Sequence, residues 1–207
     1  MKFNFRKATQ AINYLIRNGD GHHIDKLELI KLVYLADRYH LRKYGRTITN
    51  DRYVAMHCGP VASSVKDIVD MTDFLSPTAK NYAKIYIKLY ERHQIQSIKD
   101  VDMDVFSKTD IEALSAALDV SRKIAFKITK FPKKHGFKLA DFTHRFPEWK
   151  KHEISLNTGN YEYRDIDLHD FFSTADKDIE YCNVSNEQLE LNKAIFDEDE
   201  EIKRLLK

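Results

Sequence analysis

An α+β fold, predominantly helical and forming a single compact domain with a small antiparallel sheet or hairpin, is predicted by three observations. Residues 26–43 are apolar on nearly every side, the mark of a helix buried within a core rather than laid on one. Residues 52–58 and 85–106 alternate apolar and polar side chains between Gly and Pro punctuation, as short strands do. No internal repeat or low-complexity linker divides the 207 residues, and 43% hydrophobic with 12% aromatic content is ample for one core.

The elements follow in order. A first helix is predicted over residues 6–18, where Ala8, Ile12, Leu15 and Ile16 recur at helical spacing and Gly19 supplies the stop. Asp25 and Glu28 form a capping box for the second helix, the Asp25 carboxylate taking a free amide and Glu28 reaching back. Leu27, Leu29, Ile30, Leu32, Val33, Leu35 and Ala36 fill that helix. Arg42, Lys43 and Gly45 end it, placing cations at the negative end of the dipole and a glycine at the left-handed turn.

Residues 52–58 read as a strand, with Val54 and Met56 opposite Tyr53 and Ala55. Gly59-Pro60 is predicted to open a third helix carrying Val61, Val65, Ile68 and Val69, since Pro at the first helical position forfeits an amide that had no partner. Beyond Pro77, Ile85, Ile87 and Leu89 alternate with Tyr86, Lys88 and Tyr90, and residues 95–106 are expected to pair back as a hairpin. Ser107-x-x-Asp110 caps a long helix whose face is Ile111, Leu114, Leu118, Ser121, Ala125 and Ile128, broken at Phe131-Pro132. A short helix over 139–145, a turn at 156–161 and a final amphipathic helix from Ser185 complete the chain. Asp199–Lys203 and Glu200–Arg204 are expected as pairs on that last helix.

Composition excludes more than it assigns. A formal net charge of +2 gives no general drive toward nucleic acid or membrane. Lys and Arg do gather between Arg122 and Lys151, and they read as a solvated helix face, so nucleic acid is not an expected partner. Residues 197–201 form an acidic run. Two distant cysteines, Cys58 and Cys182, make no disulfide scaffold and suit a reducing cytosol. The first 21 residues lack the apolar core and cleavage site of a secretion signal, and nothing approaches a membrane span, so a soluble, cytoplasmic protein is expected.

The chemistry sought is mostly missing. Phosphate-binding loops, zinc-protease and nucleophile-elbow motifs have no match. His57-Cys58 lie next to each other on a predicted strand and point to opposite faces, so they form no thiol–base pair; Cys58 reads as a small buried residue, and His22-His23 as an exposed loop pair. Asp37 and His40 share a helix face and, with His57, could offer ligands to a divalent metal, but nothing local supplies the rest of a site. No catalytic residue, metal or cofactor is therefore assigned. Gly59-Pro60 as a helix start would tolerate an anion, a common and weak feature.

Asp37 and Arg38 are the notable charges of the apolar helix. As immediate neighbours they cannot pair with each other, and if buried each needs a partner. Arg46 and Asp51 are the expected ones. Either these four charges lock the turn to the helix, or some stay available to a ligand or protein.

Three stretches carry a family likeness: Lys31-Leu32-Val33-Tyr34-Leu35-Ala36-Asp37-Arg38; Gly45-Arg46-x-Ile48-Thr49-x-Asp51-x-Tyr53-x-Ala55-Met56; and Gly59-Pro60-Val61. Phe106-Ser107 at the head of a long helix, and Leu139-x-x-Phe142-Thr143-His144-x-x-Pro147-x-Trp149, continue it. In this order they resemble the Panacea domain, also known as the SocA-like antitoxins of bacteria and their phages. Cys58 departs from the His-like residue expected before the glycine. The resemblance implies a Panacea-like domain over residues 5–151 and an extension over 152–207 that packs on or flanks it and ends in an acidic amphipathic helix. It also implies a non-enzymatic antitoxin that neutralises a cognate toxin by direct contact, one domain type serving many unrelated toxins. One branch hands its toxin to an unfoldase–protease instead, and the acidic tail is a candidate for that second contact. The motif residues then form the scaffold and candidate partner surface: Lys31, Tyr34, Asp37, Arg38, Arg46, Asp51, Tyr53, His57, Gly59, Pro60, His144 and Trp149. Of the tyrosines near the motif, Tyr34, Tyr39, Tyr44 and Tyr53, only one or two are expected at an interface. The 85–106 hairpin and the tail are the expected selectors of toxin.

Overall fold

Helix α2, Lys26–Tyr44, is the axle of the molecule, and every residue from Leu29 to Arg42 is buried. The Asp25 carboxylate accepts from the amides of Leu27 (2.9 Å) and Glu28 (3.3 Å), satisfying donors that a helix start leaves free. Gly45 ends the helix in the left-handed conformation at φ +69. A Cβ there would lie 3.0 Å from the Asn192 carbonyl and 3.2 Å from Ile195, so the glycine also admits the C-terminal helix. The computed structural model describes residues 2–19, 21–126, 135–159, 161–175 and 178–206.

Around the axle the chain builds a predominantly helical α+β domain. Helix α1, Phe5–Asn18, is capped by the Asn4 side chain and buries Ala8, Ala11, Ile12, Leu15 and Ile16. Helix α5, Lys108–Phe126, packs along α2 and starts at a reciprocal capping box: Asp110 N–H donates to Ser107 Oγ (3.2 Å) while Ser107 N–H donates to Asp110 Oδ2 (2.9 Å). Ile128 and the break at Phe131-Pro132 lie outside the described residues. So does part of the basic stretch between Arg122 and Lys151.

Two small antiparallel sheets flank the helices. In the first, β1 (His23–Asp25), β5 (Gln94–Ser97) and β4 (Ile87–Glu91) stand in the order β1-β5-β4. In the second, β3 (Gly59–Ala62), β2 (Tyr53–Met56) and β6 (Tyr163–Asp165) stand in the order β3-β2-β6.

Here the structure departs from expectation. Gly59-Pro60 opens no helix; it begins β3, paired with β2 in the register Val54↔Val61 and Ala55↔Pro60. The proline is tolerated because β3 is an edge strand of its sheet. Helix α3 starts later, at Ser63–Asp70, and an acid from outside the helix caps it. Asp51 accepts from the amides of Ser64 (3.0 Å) and Val65 (2.8 Å). The anion-tolerant helix start predicted at Gly59 is therefore lost.

Residues 77–86 are helical too. Helix α4, Pro77–Tyr86, starts at a Ser76 cap and buries Ala79, Ala83 and Tyr86 at helical spacing, which overrides the alternation read there. Only Ile87–Glu91 and Gln94–Ser97 form the expected hairpin. Helix α6 is His135–Thr143, α7 is Pro147–Lys150, and the stretch read as a turn begins with helix α8, Glu153–Thr158.

The segment after Lys151 shares the core. Strand β6 pairs with β2, and Phe171, Phe172, Tyr181 and Phe196 join the same hydrophobic cluster as α2. Helix α9 is Asp178–Tyr181 and α10 is Asn186–Leu205. On α10 Lys203 sits against both Asp199 and Glu200, so Glu200 faces Lys203. Among the described residues no helix is long and apolar enough to cross a membrane.

Candidate functional site

Eight of the twelve predicted site residues, Lys31, Tyr34, Asp37, Arg38, Gly59, Pro60, His144 and Trp149, fall into three groups around α2. Asp37 forms the first. Its Oδ1 accepts from the amides of Ile48 (2.7 Å) and Thr49 (3.0 Å), and its Oδ2 accepts from the Thr49 hydroxyl (2.6 Å). Burial pushes this carboxyl up to about 6, against the opposing pull of those hydrogen bonds. The carboxylate thus folds the 47–49 turn onto the helix.

The second group is an ion network along α2. Arg38 donates from Nε to Glu148 Oε1 (2.6 Å) and from Nη1 to Asp178 Oδ1 (2.5 Å), with its guanidinium 3.9 Å from the centre of the Phe146 ring. The Tyr34 hydroxyl donates to the same Glu148 oxygen at 2.5 Å. One turn on, Arg42 reaches Asp178 Oδ2 at 2.9 Å and the carbonyls of Phe171 and Ser173 at 2.6 and 2.7 Å. Desolvation would lower the Arg38 pKa, but Glu148 and Asp178 outweigh it and hold the guanidinium charged.

The third group surrounds the β2–β3 turn. Lys31, fully buried, donates from Nζ to the Pro60 carbonyl at 2.7 Å, and burial pushes its amine down to about 7. Gly59 adopts φ +94, and a Cβ there would stand 2.8 Å from Thr143 Oγ1, 3.0 Å from Lys31 Nζ and 3.1 Å from His144 Cδ2. The Trp149 indole N–H donates to the Met56 carbonyl at 2.9 Å, and the His144 ring stacks on Trp149 at 3.9 Å. Burial, and then the Lys31 charge, push His144 down. The turn is gripped by α2, α6 and α7 at once.

Residues 29–150, more than half of the chain, match the family described as antitoxin SocA-like, Panacea domain. The chain belongs to that family. No curated protein and no solved structure matches it.

The Panacea match contains nearly all of this interior wiring, and the wiring corrects the sequence reading. Arg46 and Asp51 do not pair with Asp37 and Arg38. Arg46 reaches Asp110 at 3.1 Å, while Asp51 is spent on α3. A buried charge is satisfied by whichever partner the fold brings near, and the nearest in sequence were drawn elsewhere. Nor do Asp37, His40 and His57 converge. His40 lies between the Arg46 carbonyl (2.7 Å), Thr109 (2.9 Å) and Asp110 (3.2 Å), and His57 is exposed in the hairpin turn. Among the described residues no group of three His, Cys, Asp or Glu is placed to hold a metal. Cys58, expected to be buried, is exposed beside His57 because the strand stops at Met56. His22 and His23 are exposed as expected, but His23 begins strand β1, paired with Gln96, and is no loop residue; its ring stacks on Tyr90 at 4.7 Å.

Three acids that the sequence reading left out of the site hold the Panacea interior together. Glu148 carried a usable signal, an acid between the proline and tryptophan of the motif. Asp110 shows in sequence only as a cap, yet Lys7 (2.6 Å) and Arg46 also bind it, and with His40 they outweigh its desolvation and hold its pKa well below the usual range. Asp178 lies beyond the Panacea match and had no local signal.

Proposed function

We propose that this protein is an antitoxin that neutralises a cognate toxin by direct protein–protein binding, its Panacea motif serving as scaffold. Membership of the Panacea family supports the antitoxin role. One observation carries the scaffold reading: Asp37, Arg38 and Asp51 are buried, and their hydrogen bonds go to the protein's own turns and helices. A preorganised scaffold lowers the ordering cost of presenting a surface to a partner. Of the motif tyrosines, Tyr34, Tyr39 and Tyr53 are buried, and only Tyr44 is half-exposed.

The test is co-expression with the protein encoded beside it. Rescue of growth, copurification of the two proteins and an unchanged lifetime of the toxin are expected. Rescue without a complex would refute direct neutralisation. Rescue with a shortened toxin lifetime would replace it with delivery to an unfoldase–protease.

A further inference from the structure

Helix α10 has two seams, and the fold uses one. Leu189, Asn192 and Phe196 turn inward, and Asn192 donates to the Arg42 carbonyl at 2.7 Å. Beyond Phe196 no residue of α10 is buried, although the helix runs on to Leu205. About 130° around the helix from that anchor lie two further apolar pairs on one side of the helix, Leu191 with Ile195 and, two turns on, Ile202 with Leu205. All four are exposed, Leu205 by 79%. Ile195 lies partly against Gly45 and the other three face water; apolar side chains exposed along one side of a helix mark docking surfaces where singly scattered ones do not.

Charge says what would cover it. Helix α10 carries seven acidic residues against three basic ones, in a chain whose formal net charge is +2. Helical spacing sets Glu187, Glu190, Glu198 and Glu201 in or beside the outer seam, on the side away from the core. Among the described residues none of these four makes an ion pair. The acids repel an anionic lipid surface, and a second α10 laid along the first would set acid against acid. An occupant with apolar anchors flanked by Lys and Arg meets both demands.

We propose that the outer seam of α10 is the surface on which the toxin docks, and that the toxin presents to it an amphipathic, cationic segment. This rests on the antitoxin reading above and narrows the expectation that the tail selects the toxin to one side of a helix outside the Panacea match.

The test uses the full-length chain and the purified protein encoded beside it. Two variants probe the seam: Leu191→Asp with Ile202→Asp, and Glu187→Lys with Glu190→Lys, Glu198→Lys and Glu201→Lys. Both sets lie outside the core, so circular dichroism and thermal melting should match wild type. The Asp pair should weaken binding at least about tenfold and abolish growth rescue. The Lys set should weaken it about tenfold at low salt, and the wild-type loss of affinity with rising salt should vanish. If both variants bind within about twofold of wild type, the seam is the wrong surface and the antitoxin reading stands. If only the Asp pair weakens binding, the cationic partner is wrong. A wild-type dimer that the Asp pair dissolves would make a second copy the occupant and overturn the proposal. If wild type neither binds nor rescues, the antitoxin reading fails and takes the docking surface with it.

Discussion

Lys31 Nζ donates to the Pro60 carbonyl across 2.7 Å of buried interior, so an amine on α2 holds the first turn of an edge strand in place. Few side chains are less suited to such a position. The ammonium loses its hydration, and burial brings its pKa down to about 7.

That depression sets a pH dependence whose sign is fixed. Between about pH 7 and the ordinary lysine range, unfolded Lys31 is protonated and folded Lys31 is largely neutral, so the unfolded chain binds more protons and stability rises with pH. Between pH 7 and 9 the contribution should approach ~1.4 kcal/mol per pH unit. Lys31→Met removes the group, and urea titrations at pH 7, 8 and 9 should show a flatter dependence than wild type. Parallel slopes in the two proteins would mean that the buried amine keeps its charge.

Arg38 and Glu148 should behave as one unit. Glu148→Leu removes one of the two acids that hold the buried Arg38 guanidinium and is expected to cost about 3 kcal/mol, and Arg38→Leu, which leaves the Glu148 carboxylate only the Tyr34 hydroxyl, about 3–5 kcal/mol. The double variant should cost clearly less than the two summed, because it removes both charges together. A double-mutant cycle by chemical denaturation measures this, and strict additivity would show that the pair is uncoupled. Where Arg38 is removed, Asp178 keeps Arg42 as its partner, 2.9 Å away; where Glu148 alone is removed, it keeps both arginines.

Gly59→Ala meets two obstacles, a left-handed backbone at φ +94 and a Cβ placed 2.8 Å from Thr143 Oγ1. The expected loss is about 1–3 kcal/mol. Gly21, also at positive φ but with nothing within 4 Å of its Cβ position, serves as the control and should cost less. Equal losses in the two denaturation curves would assign the glycine requirement to backbone conformation alone.

Caps and periodic faces act within one or two turns of chain, and those features were readable from residues alone. Asp25 and Gly45 bracket α2, Ser107 and Asp110 open α5, and α1 follows its apolar spacing. The family likeness was legible for a related reason, since its ordered pieces lie in the segment that builds α2 and the turns around it. What escaped depended on distant neighbours. Gly59-Pro60 looks like a helix start until β2 pairs with it, and the alternation before Tyr86 looks like a strand until α1 covers one face of α4. The motif charges escaped furthest. Arg38 finds its acids 110 and 140 residues away, and a buried charge takes whatever counter-charge three-dimensional packing delivers. Chain proximity suggested Arg46 and Asp51, but low-dielectric burial rewards spatial proximity, and only the folded arrangement of α2, α7 and α9 supplies it.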